Sequence, residues 1–138
     1  FEKRKILFQE LQKNLLINLK RTNSLSSISI FLSDKFYFTK QYYNSLPDEE
    51  SCEKGAEVDN DYTCYSIEKA VLKKIDKFIN IKNIIYVIEN GEVNMSELTA
   101  TCYSSKLDSL KYPYIDYRYN ESKERWFISV IRYELLKD

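Results

Sequence analysis

The sequence contains no histidine. That excludes a Ser-His-Asp triad, a Cys-His pair, a histidine metal site and a histidine general base. Glycine occurs twice, at Gly55 and Gly91. Two are too few for a phosphate-cradling loop or a dinucleotide fingerprint, whose glycines let backbone N–H groups close on a phosphate. Net charge is also missing, because 21 Lys and Arg balance 21 Asp and Glu. No overall basic field is therefore available to attract nucleic acid. No run of about 18 apolar residues reads as a membrane span, and no signal peptide is visible. The chain starts at Phe1 rather than at methionine, so an upstream segment is expected to have been removed. Without a nucleophile–base pair, metal set or cofactor loop, no enzymatic activity and no cofactor are expected.

What is present reads as a folded chain. At 138 residues a single globular domain over 1–138 is expected. Hydrophobic residues at 43% and charged residues at 30% argue against disorder. Twelve tyrosines and seven phenylalanines favour pleated, half-buried surfaces and hence sheet. Over residues 1–25, Leu7, Leu11, Leu15 and Leu19 recur every fourth position, flanked by Phe8 and Leu16. This is the apolar stripe of an amphipathic helix, with Asn23 and Ser24 as terminators. Ile28, Ile30 and Leu32, then Phe36 and Phe38, alternate as two short strands joined at Ser33-Asp34-Lys35, or as one strand followed by an aromatic loop. Residues 44–65 collect turn formers into a long loop. Ser66 caps a second helical pattern that runs through Ile67, Ala70, Val71, Ile75 and Ile79 to Asn80. Asn90-Gly91 between apolar runs predicts a hairpin of Ile84–Ile88 with Val93–Tyr103, the latter bulged near Ser96-Glu97. A second pair follows, Tyr114–Tyr119 with Arg125–Leu136, around residues 120–124. Arg125–Leu136 is apolar on both faces, with Phe127, Ile131, Tyr133 and Leu135 on one and Trp126, Ile128 and Val130 on the other. That pattern marks an interior strand. The fold class expected is α+β: a long N-terminal amphipathic helix packed on a C-terminal four-stranded antiparallel sheet, with a second helix and a disulfide-tied loop.

The disulfide would join Cys52 and Cys64, twelve positions apart in the turn-rich loop. It would contribute about 3 kcal/mol in the chain-entropy model and imply an oxidising compartment. Two free surface thiols are the other reading. Cys102 falls on a predicted strand face with Leu98 and Ala100 and reads as a buried, inert thiol. Without histidine, three cysteines make a poor zinc set. The loop also holds seven acids between residues 48 and 61, with Lys54 the sole cation. Asp59-Asn60-Asp61 is superficially calcium-like, but the spacing of a calcium loop is not met, and a solvated acidic loop is preferred; no metal is expected. Tyr112, Tyr114, Tyr117 and Tyr119 with Arg118 form either an aromatic–basic patch for stacking on bases or sugars or cross-strand packing on a sheet; the second is preferred. Asn94-Met95-Ser96 and Asn120-Glu121-Ser122 match the glycan-acceptor pattern. A chain rich in Asn and Ser produces that pattern by chance, so the pattern alone carries no weight.

The order of long helix, loop and terminal strands, on the stripe Leu7–Leu11–Leu15–Leu19 and the pairs 84–88/93–103 and 114–119/125–136, resembles the globular part of a type IV pilin or pseudopilin. The likeness is one of layout over most of the chain. The family's apolar opening with its early glutamate is not in this sequence, and Cys52–Cys64 precedes the sheet where the family's cysteine pair often frames a loop near the C-terminus. The resemblance implies a minor, non-enzymatic structural subunit at the cell surface. Its partners would be other pilin-like subunits met through the N-terminal helix, with membrane contact only through a segment upstream of Phe1 and no nucleic acid. The alternative resemblance is to an extracytoplasmic ligand-sensing domain of a membrane receptor, in which a long N-terminal helix packs on a five-stranded sheet. There, Ser27–Leu32 and Phe36–Thr39 would supply the first strands.

Overall fold

The computed structural model describes residues 1–42, 72–73, 76, 80–105 and 112–135. Helix α1 spans Glu2–Thr22 and buries Phe8, Leu11, Leu15 and Leu19. Leu7 and Leu16 pack half-buried beside them, as the four-residue recurrence requires of an amphipathic helix. The helix ends at Asn23, which adopts the left-handed conformation (φ 55°) and donates its N–H to the Leu19 carbonyl at 2.8 Å. Asparagine tolerates that conformation better than most residues.

Two short 3₁₀ turns follow over Leu25–Phe31, joined at a kink at Ile28 (φ −111°, ψ 17°), where a strand over Ile28–Leu32 was expected. The serines decide the difference. The Ser24 side chain accepts from the Ser26 N–H, and Asp76 accepts from both the Leu25 N–H (3.0 Å) and the Ser24 hydroxyl (2.9 Å). These bonds cap the first turn. Leu25 and Ile28 are buried three residues apart, with Phe31 partly buried, while Ile30 is exposed. That is the period of a 3₁₀ helix rather than the alternation of a strand. A single strand, β1 (Leu32–Tyr42), then carries Phe36 and Phe38 into the core.

Helix α2 covers Ile81–Asn90, which overturns the expected hairpin of 84–88 with 93–103. Ile81, Ile84, Val87 and Ile88 are buried at helical spacing, and the Asn80 side chain caps the start by accepting from the Lys82 N–H at 2.9 Å. Gly91 ends the helix with φ −73° and its N–H on the Val87 carbonyl at 2.7 Å. The positive φ of a tight hairpin turn is absent there. Glycine is needed at this point for space: a Cβ would strike the Val87 carbonyl oxygen and come within 2.7 Å of the Tyr103 carbonyl oxygen. Of the helix expected over 66–80, Leu72, Lys73 and Asp76 are described and helical, Leu72 is buried, and Asn80 is not helical but caps α2; the other residues of 66–80 lie outside the described residues.

The hairpin begins one element later. Strands β2 (Glu92–Met95) and β3 (Thr99–Tyr103) pair antiparallel. The change of parity read as a bulge near Ser96-Glu97 is the turn between them, closed by the Ser96 N–H on the Thr99 carbonyl at 2.8 Å. Strands β4 (Tyr114–Asn120) and β5 (Arg125–Leu135) form the second pair as expected. The sheet is five-stranded and mixed, in the order β1-β5-β4-β3-β2, with β1 parallel to β5. It is not the four-stranded antiparallel sheet expected, because 84–88 is helical and 32–42 joins the sheet. β5 is interior, between β1 and β4. Asp116 pairs with Val130 and Tyr117 with Ile128, so Ser129 is an extra residue on β5. This bulge lets Trp126, Ile128, Ile131 and Tyr133 share the helix-facing core while Phe127 and Val130 are buried outside that cluster.

Candidate functional site

Among the described residues, polar groupings lie against both faces of the sheet. The first lies between α1, α2 and the helix-facing side of the sheet. The Cys102 thiol, fully buried, donates to the Val87 carbonyl at 3.2 Å. The Gln12 amide Nε2 reaches its sulfur at 3.9 Å, and the Tyr117 hydroxyl donates to Gln12 Oε1. One glutamine thus satisfies a buried phenol and touches a buried thiol. Burial pushes the Cys102 thiol up from its ordinary 9.0 to about 11, against a smaller opposing pull from Gln12. Burial likewise holds Tyr117 well above its ordinary 10.0. A thiol so shifted is a poor nucleophile at neutral pH. Cys102 is free and buried, as expected; of the two neighbours on which that expectation rested, Ala100 is buried on the same strand, whereas Leu98 lies in the turn before it and is exposed.

The second grouping lies on the opposite face of the sheet. Arg132 Nε donates to Asp116 Oδ2 at 2.7 Å, and the Thr101 hydroxyl donates to Asp116 Oδ1 at 2.8 Å. The Ser129 hydroxyl donates to the Asp116 carbonyl at 3.1 Å, which pins the bulge. The two charged side chains are 15% and 17% exposed, so the pair is partly desolvated and hydrogen-bonded on several sides. The Arg132 guanidinium also lies over the Tyr114 ring at 4.5 Å, and Tyr114 stacks on Tyr103 at 5.7 Å. A hydrogen bond to Glu92 raises the Tyr103 phenol. Further along, Lys123 and Arg125 lie over Phe127 at 5.4 and 4.8 Å.

The tyrosine set read as a patch is divided by strand alternation. Tyr114 and Arg118 lie on this outer face, whereas Tyr117 and Tyr119 face the helix. Tyr119 packs edge-on to Trp126 at 5.3 Å and beneath the Arg4 guanidinium at 4.3 Å. Tyr112 rings against Tyr86 at 4.9 Å. Cross-strand and inter-element packing accounts for these contacts.

The helix leucines read as an assembly stripe come together, but inward: Leu11, Leu15 and Leu19 belong to the molecule's own core, with Leu7 at its margin. Phe8 anchors them, edge-on to Tyr117 at 4.8 Å and to Trp126 at 5.5 Å. The Trp126 indole donates to the Arg4 carbonyl at 2.8 Å, and Arg4 Nη1 donates to the Glu97 carbonyl at 2.8 Å. What α1 turns outward includes Ile6 and Ile17, 54% and 55% exposed. Eleven residues apart, they fall on one face, separated by roughly 16 Å along the axis. Cys52, Cys64 and the acidic segment 48–61 lie outside the described residues. Among the described residues no three Cys, Asp or Glu side chains are grouped to hold a metal ion, and no helix is long and apolar enough to cross a membrane.

Sequence reasoning missed Gln12, Asp116 and Arg132. Gln12 carried a signal: it lies one residue from the stripe position Leu11, at the border of the buried face. The Asp116–Arg132 pair depends on a register that crosses a bulge, which residue types alone do not reveal. No protein-family model matches the chain, and no curated protein or solved structure matches it.

Proposed function

We propose that the chain is a non-enzymatic interaction subunit of the minor-pilin or pseudopilin kind, extracytoplasmic and displayed at the cell surface. Other pilin-like subunits would be met through the N-terminal helix. The observation that carries the reading is the two-sided use of α1. Its leucine stripe is committed to its own sheet, yet Ile6 and Ile17 stand more than half exposed on one outward face. Covering each in a subunit contact would contribute roughly 2 kcal/mol. The inward leucines then hold the helix rigid on the sheet, and the outward isoleucines make the contact. The reading requires no cofactor, metal or nucleic acid, and membrane contact only through chain upstream of Phe1.

A photo-crosslinking residue at position 6 or 17, introduced in the living cell, tests this. Adducts with a second subunit are expected at both positions and not at exposed Glu92 on β2. Uncrosslinked monomer at both helix positions would overturn the assembly reading.

One observation favours a second reading, a ligand-sensing domain: β1 completes a five-stranded sheet beneath the N-terminal helix. A sensor should be stabilised by its ligand, by about 2.7 kcal/mol at a hundredfold excess over Kd. A metabolite panel that raises the melting temperature of the isolated chain, together with absent crosslinks, would select it.

A further inference from the structure

Both glycan-acceptor patterns fall on described residues, and the structure distinguishes them. Asn94 sits within β2, opposite Thr101 of β3. The hydroxyl of its pattern, Ser96 Oγ, is engaged with Thr99, 2.8 Å from Oγ1 and bonded to the Thr99 N–H. Asn120 ends β4, and the exposed residues Glu121, Ser122, Lys123 and Glu124 form the turn to β5. There the Ser122 hydroxyl donates to Asn120 Oδ1 at 2.8 Å, and the Lys123 N–H donates to the same oxygen at 2.9 Å. Two donors on the carboxamide oxygen draw electron density from the amide and make its N–H more acidic. Among the described residues Asn120 Nδ2 has no hydrogen-bond partner. Asn94 is exposed and Asn120 half-buried, but hydroxyl and amide are already arranged together at Asn120, beside an exposed turn, and at Asn94 they are not.

We propose that Asn120 is an N-glycosylation site. This rests on the extracytoplasmic reading above, since the donor is a polyisoprenyl-pyrophosphate-linked oligosaccharide presented by a membrane transferase. In the reaction Nδ2 bonds to the anomeric carbon and the bond from that carbon to the pyrophosphate oxygen breaks. The lipid pyrophosphate leaves with the electron pair, and the amide proton passes to a base of the transferase. Only a hydroxyl-bearing residue at position 122 supports the arrangement, and the four residues that follow Asn120 are exposed.

The test is intact-mass measurement on two samples: the chain recovered from its own cells and the chain routed through a glycosylating secretory pathway. A single glycan is expected in both, released by peptide-N-glycosidase to leave aspartate at position 120. It should be lost in Asn120→Gln and Ser122→Ala and retained in Ser122→Thr and Asn94→Gln. Because Asn120→Gln also removes the turn's hydrogen bonds, the Ser122 pair separates loss of the acceptor from loss of the fold. No glycan on the routed chain, or a glycan lost in Asn94→Gln instead, overturns the site. A glycan on the routed chain only, with the native chain extracytoplasmic and bare, overturns the native modification. A glycan on the routed chain only, with the native chain cytoplasmic, overturns the location reading and leaves Asn120 as a competent acceptor.

Discussion

Cys102 shows what a single side chain contributes when it is neutral and dry. Its thiol is held protonated up to about pH 11 in the fold, whereas an exposed thiol releases its proton near 9.0. Below about 9 both states keep the proton, and the thiol's contribution is intact. Between 9 and 11 only the unfolded state loses it, so stability falls with rising pH, by about 1.4 kcal/mol for each pH unit. Tyr117 and Tyr133, both raised by burial, act in the same direction from about pH 10. The urea midpoint should therefore decline above pH 9. In Cys102→Ala the decline should begin nearer 10, where the tyrosines of the unfolded chain ionise. A midpoint that stays flat to pH 11 would contradict the buried thiol.

Elements respond to local chemistry that hydrophobic spacing does not fully encode. The stripe of α1 and the pair β4–β5 were legible, because four-residue recurrence and two-faced apolar alternation each match one periodicity over a long span. Leu25–Phe31 and Ile81–Asn90 were not. Short apolar runs fit strand and helix alike, and capping by Ser24, Asp76 and Asn80 decides between them. Asp76 is distant in sequence, so its part could not be read locally. Of the candidate site, Cys102 was legible from its strand neighbours, whereas Asp116 and Arg132 meet only because Ser129 shifts the register. The turn 121–124 carries another locally determined feature: Glu124 has φ 51°, a conformation that disfavours an L side chain by about 1–2 kcal/mol. Glu124→Gly is expected to raise the thermal midpoint, by the equivalent of about 1 kcal/mol. A lowered midpoint would mean that the Glu124 side chain is stabilising the turn.

Across the whole molecule, Phe8 is one of the residues that join α1 to the sheet, its ring meeting Tyr117 of β4 and Trp126 of β5. Phe8→Ala should cost about 3–5 kcal/mol, more than truncation of a half-buried neighbour such as Leu16. A loss below about 1 kcal/mol in chemical denaturation would show that the helix is not anchored there. The parallel union of β1 with β5 has a different consequence, one that concerns biosynthesis. Leu32 lies beside Ile128 and Tyr42 beside Leu135, so β1 leaves the ribosome long before the strand it will join. The last of the described strands enters between the first and the fourth. Until then the polypeptide carries Phe36 and Phe38 on a strand with no neighbour along that edge. Closure over so long a separation is slow compared with local helix formation. During that interval the nascent chain would expose an unpaired strand edge, the feature of a folding intermediate that chaperones and aggregation compete for.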